Sequence, residues 1–250
     1  MHDQEQACPT HGSYLSRYLG NIGIGRPVWT SCGQCEEARL AADAERRKLA
    51  EADLAAAAWV EKQQRAGIPE RFRDRSLDSY AATTDGQKAA LRWATEYAHQ
   101  FDEVLASGRS MLFLGRPGTG KTHLGCAIGN YLLRKGATVY YSTVQRAMRR
   151  IKDTWNRDSA ELEGDAIRAM TGPDLLILDE IGVQFGSDTE KNLTFDLLNE
   201  RYERLKPTLL LSNLAKEDVA RFLGERVMDR LREDGGRVIT FDWESHRRKQ

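Results

Sequence analysis

Gly115-Arg116-Pro117-Gly118-Thr119-Gly120-Lys121-Thr122 follows the apolar run Met111-Leu112-Phe113-Leu114 and opens a helical stretch that reaches Arg134. The stretch fits G-x-x-x-x-G-K-[ST] and lies between a strand and a helix, the context in which that pattern has physical meaning. Its glycines let backbone N–H groups curl around a β-phosphate at a helix N-terminus. The Lys121 ammonium then reaches the β- and γ-oxygens, and the Thr122 hydroxyl becomes a magnesium ligand. Gly115, Pro117, Gly118, Thr119, Gly120, Lys121, Thr122 and His123 are the candidate triphosphate-binding residues, and Lys121 is also a catalytic candidate. A purely structural glycine turn would leave the rest of the filled motif unexplained.

A second apolar run, Leu175 to Leu178, ends in Asp179-Glu180. A buried strand of this kind delivers one carboxylate to the groups that surround the metal's own ligands and one to an attacking water. Asp179 therefore joins Thr122 as a candidate magnesium residue, and Glu180 is the candidate general base. Alone, a strand ending in two acids reads as a solvated strand end; behind a phosphate loop the two motifs support each other. The bare acid pair favours ATP hydrolysis over transfer to a small-molecule hydroxyl, which would need a substrate lid. The run TLLLSN ends in Asn213, which either orients the water against the γ-phosphate or caps the following helix, with Ser212 sharing the capping role.

Outward from these motifs, short apolar runs alternate with helical stretches. MLFLG is followed by Thr122 to Arg134, ATVYYST by Val144 to Trp155, DLLILDE by Glu190 to Leu205, and TLLLSN by Lys216 to Arg232; RVITFDW supplies a fifth strand. Such alternation predicts an α/β fold with a parallel five-stranded sheet between helices. Gln87 to Leu105 carries Leu91, Ala94, Tyr97, Ala98, Phe101 and Leu105 at helical spacing and reads as one helix entering this domain. A chain of 250 residues holds one such core and a smaller appended piece. Lys+Arg and Asp+Glu are equal at 37 each, so nucleic-acid binding would have to come from a local basic surface. No apolar run is long enough to span a membrane, and the amino terminus lacks a secretory signal. A cytoplasmic location with reduced cysteines is the expectation.

The first part of the chain has a different character. Cys8 to Cys35 is too poor in apolar residues for a packed core, but Cys8-x-x-His11 and Cys32-x-x-Cys35 have the two-pair spacing of a structural zinc ribbon or knuckle. Zinc on Cys8, His11, Cys32 and Cys35 would hold the head together; the competing reading is a disordered tail with free thiols. Cys126, behind the phosphate loop, reads as a small buried apolar residue. Glu36 to Arg65 is rich in Ala, Glu, Arg, Lys and Leu and predicts one long helix ended by Gly67 and Pro69. It is either a solvated connector or a surface for a partner's helix. The implied division is a zinc head plus helix over 1–66 and an ATPase domain over 67–250.

From about Ile68 to Arg248 the chain resembles the AAA+ helicase loaders of the DnaC type, relatives of DnaA and of the IstB transposition ATPases. GRPGTGKTHL, LLILDEIGVQ, LGERVMDRL and FDWESHR read, in order, like that family's Walker A, Walker B, arginine-finger segment and sensor II region. The resemblance implies binding of the DnaB-type replicative helicase and its placement on single-stranded DNA, with ATP as the control. It also implies that Arg230 reaches a neighbouring subunit's ATP, hence a homo-oligomer or helical assembly, with Arg226 one turn earlier as the competitor and a surface salt bridge as the plain alternative. Arg247 matches the sensor II arginine, or belongs to a frayed basic terminus. Val144 to Trp155 corresponds to a helix that contacts single-stranded DNA in DnaA-like and DnaC-like proteins. Arg146, Arg149, Arg150 and Lys152 would follow phosphates there while Trp155 or Tyr141 stacks on a base. An amphipathic helix with Met148 and Ile151 inward fits the same letters. The zinc pattern departs from the enterobacterial-type loaders and matches the DnaI-type ones, which implies that the head docks the helicase. Two other functions remain open: an IstB-like transposition regulator, and a zinc-containing interaction module whose ATP site turns over little.

Overall fold

A computed structural model of the chain describes residues 3–22, 26–182 and 188–246. It divides into two compact units, Met1–Trp59 and Val60–Gln250, so the division falls inside the long helix. In the first unit, β1 (Gln4–Cys8) pairs antiparallel with β2 (Gly12–Ser16), and β3 (Tyr18–Ile22) pairs with β4 (Arg26–Trp29). Among its described residues only Cys8, Ser16 and Cys32 are buried, so these hairpins enclose no apolar core. Helix α1 (Gly33–Arg65) runs without Pro or interior Gly and leaves Leu40, Leu49 and Leu54 exposed.

The second unit is built on β5 (Met111–Gly115), β6 (Val139–Thr143), β7 (Leu175–Asp179), β8 (Thr208–Ser212) and β9 (Arg237–Phe241). They form one parallel sheet in the order β6-β7-β8-β5-β9. Each strand is the run anticipated from the sequence. The strand that follows the phosphate loop goes to the far edge, which leaves β5 between β8 and β9 and opens a crevice at the carboxyl ends of β5, β7 and β8, the usual ligand position in a reordered parallel sheet.

Alternate residues face opposite layers. Leu112, Leu114, Leu176, Leu178 and Leu210 join one cluster with Met148 and Ile151 of α5 (Val144–Asp153), Met170 of α6 (Glu163–Thr171) and Leu197 of α7 (Asp188–Glu203). On the other face α4 (Lys121–Arg134) brings Gly125 against Leu209 and Leu211, and Gly129 against Ile177. With nearly every one of these side chains at or near zero exposure, burial of apolar area is the main stabilising contribution.

Two predicted helices are broken. The entry helix divides at Gln100 into α2 (Asp85–His99) and α3 (Phe101–Ser107), because Gln100 leaves helical geometry (φ −94°, ψ 27°) and the turn lets Phe101 and Val104 join the core. A capping box of Thr84 and Gln87 starts α2. The stretch after β8 divides at Gly224 (φ 78°, ψ 156°) into α8 (Lys216–Leu223) and α9 (Glu225–Arg230). α5 stops at Asp153, where the Thr154 hydroxyl donates to the Ile151 carbonyl at 2.6 Å. α6 was not anticipated. Its short apolar pattern is flanked by polar residues on both sides.

Candidate nucleotide site and thiol cluster

The phosphate loop leaves β5 at Gly115, which pairs with Phe241 of β9 and so belongs to the strand end. Thr119 is buried and donates to the Arg116 carbonyl at 2.8 Å, closing the loop on itself. Gly120 lets the loop pass under Tyr80; a Cβ there would sit 2.7 Å from that ring. The buried Lys121 ammonium donates to the carbonyls of Gly115 (2.6 Å) and Arg116 (2.9 Å), which satisfies its charge within the loop.

The acid pair stands directly beside it. The Thr122 hydroxyl donates to Asp179 Oδ2 at 2.8 Å, the Tyr141 hydroxyl donates to the same oxygen at 2.9 Å, and the Glu180 N–H donates to Oδ1 at 2.7 Å. Thus Asp179 is fixed while Glu180, at φ 61°, turns its side chain out of the strand and into solvent. Such a left-handed conformation is uncommon for a side-chain-bearing residue. Asn213 is exposed and does not cap α8, whose cap position is Ala215. Ser212 is occupied too, donating to the Ile181 carbonyl and accepting from the Leu214 N–H.

Pro117, Gly118, Gly120, Lys121, Thr122, His123, Asp179, Glu180 and Asn213 all line one cavity of about 410 Å³, a size suited to a small-molecule ligand. Gly115 and Thr119 lie behind its wall and shape the loop. Thr122 and Asp179 form an oxygen pair of the kind hard divalent cations prefer, so they fit magnesium.

Sequence reading missed the rest of the wall. Arg71, Phe72, Arg75, Ser79 and Tyr80, from the segment between α1 and α2, complete one side, and His246 another. The strap is tied down by two buried amides: Asn130 Nδ2 donates to the carbonyls of Phe72 (2.9 Å) and Arg75 (2.8 Å), and Gln63 Nε2 to that of Arg73 (2.6 Å) and to Asn130 Oδ1 (2.8 Å). A polar Asn on the otherwise apolar face of α4 was the available signal. His123 sits between the loop and the strap, 3.2 Å from the Ser79 hydroxyl and edge-on to Tyr80. Burial pushes its pKa down. The carboxyl-terminal segment grips the loop from outside, the Trp243 indole N–H donating to the Thr119 carbonyl (2.9 Å) and the His246 N–H to that of Gly118 (3.0 Å). Arg247 lies outside the described residues.

Arg230, at the end of α9, is not in this cavity wall. Its guanidinium donates to Asn199 Oδ1 and stacks on Tyr202 at 4.2 Å, whereas Arg226 is exposed. The basic helix α5 differs from expectation. Arg150 is ion-paired with Glu161 (2.5 Å) and Lys152 with Glu190 (2.5 Å), so only Arg146 and Arg149 project as exposed cations. Tyr141 is buried beneath Asp179 and is not available to stack on a base; Trp155, 52% exposed, is. Met148 and Ile151 point inward as anticipated.

In the first unit the ligand atoms of Cys8, His11, Cys32 and Cys35 all lie within 4.8 Å of one another. His11 Nδ1 is 3.3 Å from the Cys35 sulfur and 3.6 Å from those of Cys8 and Cys32. Backbone hydrogen bonds from Thr10 and His11 pull the Cys8 pKa down to about 6, while its neighbouring sulfur pushes Cys35 up to about 11. Three thiols and an imidazole converging with a thiolate already favoured fit a closed tetrahedral zinc site. Cys126 is fully buried beside α4's neighbours, as a small apolar residue would be.

The reordered parallel sheet, the phosphate loop and the strand-end acids define a nucleotide-binding protein of the AAA+ class. The model of the family of IstB-like ATP binding proteins matches residues 103–250. The replicative helicase loader DnaC of Buchnera aphidicola subsp. Schizaphis graminum is 39% identical over 183 residues, 73% of either chain. That of Escherichia coli K12 is also 39% identical over 183 residues, again covering 73% of each. The crystal structure of the DnaC helicase loader superposes with a TM-score of 0.61 at 25% identity, over 69% of this chain and 99% of that one. The chain belongs to the DnaC-type family of AAA+ replicative helicase loaders. It is therefore an ATP-binding protein, and among the described residues no helix is long and apolar enough to cross a membrane.

Proposed function

We propose that this chain binds and hydrolyses ATP as a switch that loads a DnaB-type replicative helicase onto single-stranded DNA in the cytoplasm. The observation that carries the reading is the convergence of Thr122, Asp179 and Glu180 at one strand-end crevice in a chain 39% identical to DnaC loaders. Lys121 exchanges the Gly115 and Arg116 carbonyls for the β- and γ-oxygens, and the loop N–H groups cradle the β-phosphate. Thr122 and Asp179 would hold magnesium, and the ion would supply charge withdrawal from the phosphate oxygens. Glu180 takes the proton of the attacking water and Asn213 orients it.

Arg230 completes the site of a neighbouring subunit in a homo-oligomer, and Arg247 touches the γ-phosphate in its own. Cys8, His11, Cys32 and Cys35 hold zinc in a closed, structural site. Residues 1–66 form the helicase-docking region and 67–250 the ATPase, with Val60–Arg65 braced against the latter through Gln63. Arg146, Arg149 and Trp155 contact the DNA.

Affinity capture of the replicative helicase with ATP·Mg²⁺ tests this reading, comparing the full chain with one beginning at Val60. Capture by the full chain alone supports a docking head. The IstB-like match supports one alternative, a transposition regulator acting on duplex DNA. No capture by the full chain would overturn the loader reading and leave that alternative to be tested with a transposase.

A further inference from the structure

Arg230 is held by a small device that the nucleotide chemistry above leaves unused. Its Nη1 donates to Asn199 Oδ1, and its guanidinium carbon lies 4.2 Å from the centre of the Tyr202 ring. Asn199 and Tyr202 are one turn apart on α7 and so share a face. Each is itself locked. Asn199 Nδ2 donates to Glu203 Oε1 at 2.7 Å, which fixes the amide with its oxygen toward Arg230. The Tyr202 hydroxyl donates to Glu233 Oε2 at 2.6 Å, which fixes the plane of the ring.

The chemistry of the holders is informative. Several arginines elsewhere in the same unit are held by carboxylates, Arg150 by Glu161, Arg204 by Glu200 and Arg221 by Asp218, whereas Arg237 lies over the Trp93 ring. Arg230 is held by an amide oxygen and a π face, and the carboxylates of Glu203 and Glu233 are engaged by those two holders. An amide and a ring orient a guanidinium without neutralising it, so its full charge remains available to an anion. A long flexible side chain fixed in this way loses less entropy when it meets its target.

We infer that Asn199 and Tyr202 are positioning residues that pre-set Arg230 for the phosphates of ATP bound to an adjacent subunit, with Glu203 and Glu233 as their anchors. This rests on the reading of Arg230 as a residue acting in trans. Without the device, the finger samples many rotamers, and the loss appears in turnover and not in ATP affinity.

The test uses full-length protein with ATP·Mg²⁺ and single-stranded DNA. Tyr202→Leu lowers kcat on the order of tenfold with KM within about twofold, and Tyr202→Phe, which keeps the ring but loses the Glu233 anchor, recovers part of that rate. Asn199→Ala behaves like Tyr202→Leu. Mixing then separates a positioning role from a merely structural one. Glu180→Gln subunits carry an inactive site and an intact Arg230, so adding them to Tyr202→Leu subunits, themselves intact at the site, restores turnover. Arg230→Ala subunits are restored by the same mixture. Wild-type kcat in Tyr202→Leu overturns the proposal, as does failure of its rescue under conditions where Arg230→Ala is rescued. If Arg230→Ala is neither slowed nor rescued, the trans reading falls, and this proposal with it.

Discussion

Among the described residues, Arg201 is the largest side chain that the fold hides completely. Its Nη1 donates to the carbonyls of Met170 (2.9 Å), Thr171 (3.1 Å) and Pro173 (2.9 Å), its Nη2 to that of Pro207 (2.7 Å), and its Nε to the Thr208 hydroxyl (3.0 Å). The guanidinium thereby satisfies the open carbonyls at the end of α6, where the helix dipole is negative, and ties them to the start of β8. Burial lowers its pKa to about 10, so it stays charged at neutral pH. Arg201→Met keeps much of the volume and leaves these acceptors dry; equilibrium urea unfolding should show a loss of about 3 kcal/mol. A loss below about 1 kcal/mol would contradict this role. Nothing in the sequence marked Arg201, because one arginine on a helical pattern reads as solvated until its partners, distant along the chain, are known. Thr122 and Asp179 were legible because the motif around each states its chemistry locally.

At the scale of elements, α5 separates pattern from environment. Its amphipathic register was readable from Met148 and Ile151, and so was its basic face. The neutralisation of that face was not, since Glu161 follows the helix and Glu190 lies on α7. Arg146 and Arg149 are then the two cations available to phosphates. Replacing both with Ala should reduce the slope of log affinity against log salt for single-stranded DNA by about 1.4, whereas Arg150→Ala changes it by much less. Fluorescence anisotropy titrations at several salt concentrations measure both. Equal effects from Arg150 and the Arg146/Arg149 pair would place the DNA elsewhere. The helix breaks teach a related lesson. Gly224 carries a visible signal for the break between α8 and α9. Gln100 carries none, and its turn is imposed by the burial of Phe101 and Val104. The strap over the nucleotide cavity was likewise silent, because it has no periodicity and depends on Asn130 and Gln63 from two other helices.

The whole molecule consists of two units stabilised in different ways. The sheet unit has a large apolar core, whereas the described part of the head buries two cysteines and a serine. Zinc removal by a chelator should therefore abolish the head's fold and leave the thermal transition of the ATPase unit in place, as followed by circular dichroism and zinc release. Loss of both transitions together would contradict independent stabilisation. At the crevice at the strand ends, Glu180 stands exposed on the wall of the nucleotide cavity beside a fixed Asp179. Steady-state turnover and equilibrium ATP binding of the full chain and Glu180→Gln, with single-stranded DNA and helicase present, test its role as general base most directly. For Glu180→Gln the expected result is ATP affinity within about threefold of wild type and kcat reduced on the order of 100-fold or more. Unchanged turnover in Glu180→Gln, or no turnover in either protein, would contradict it.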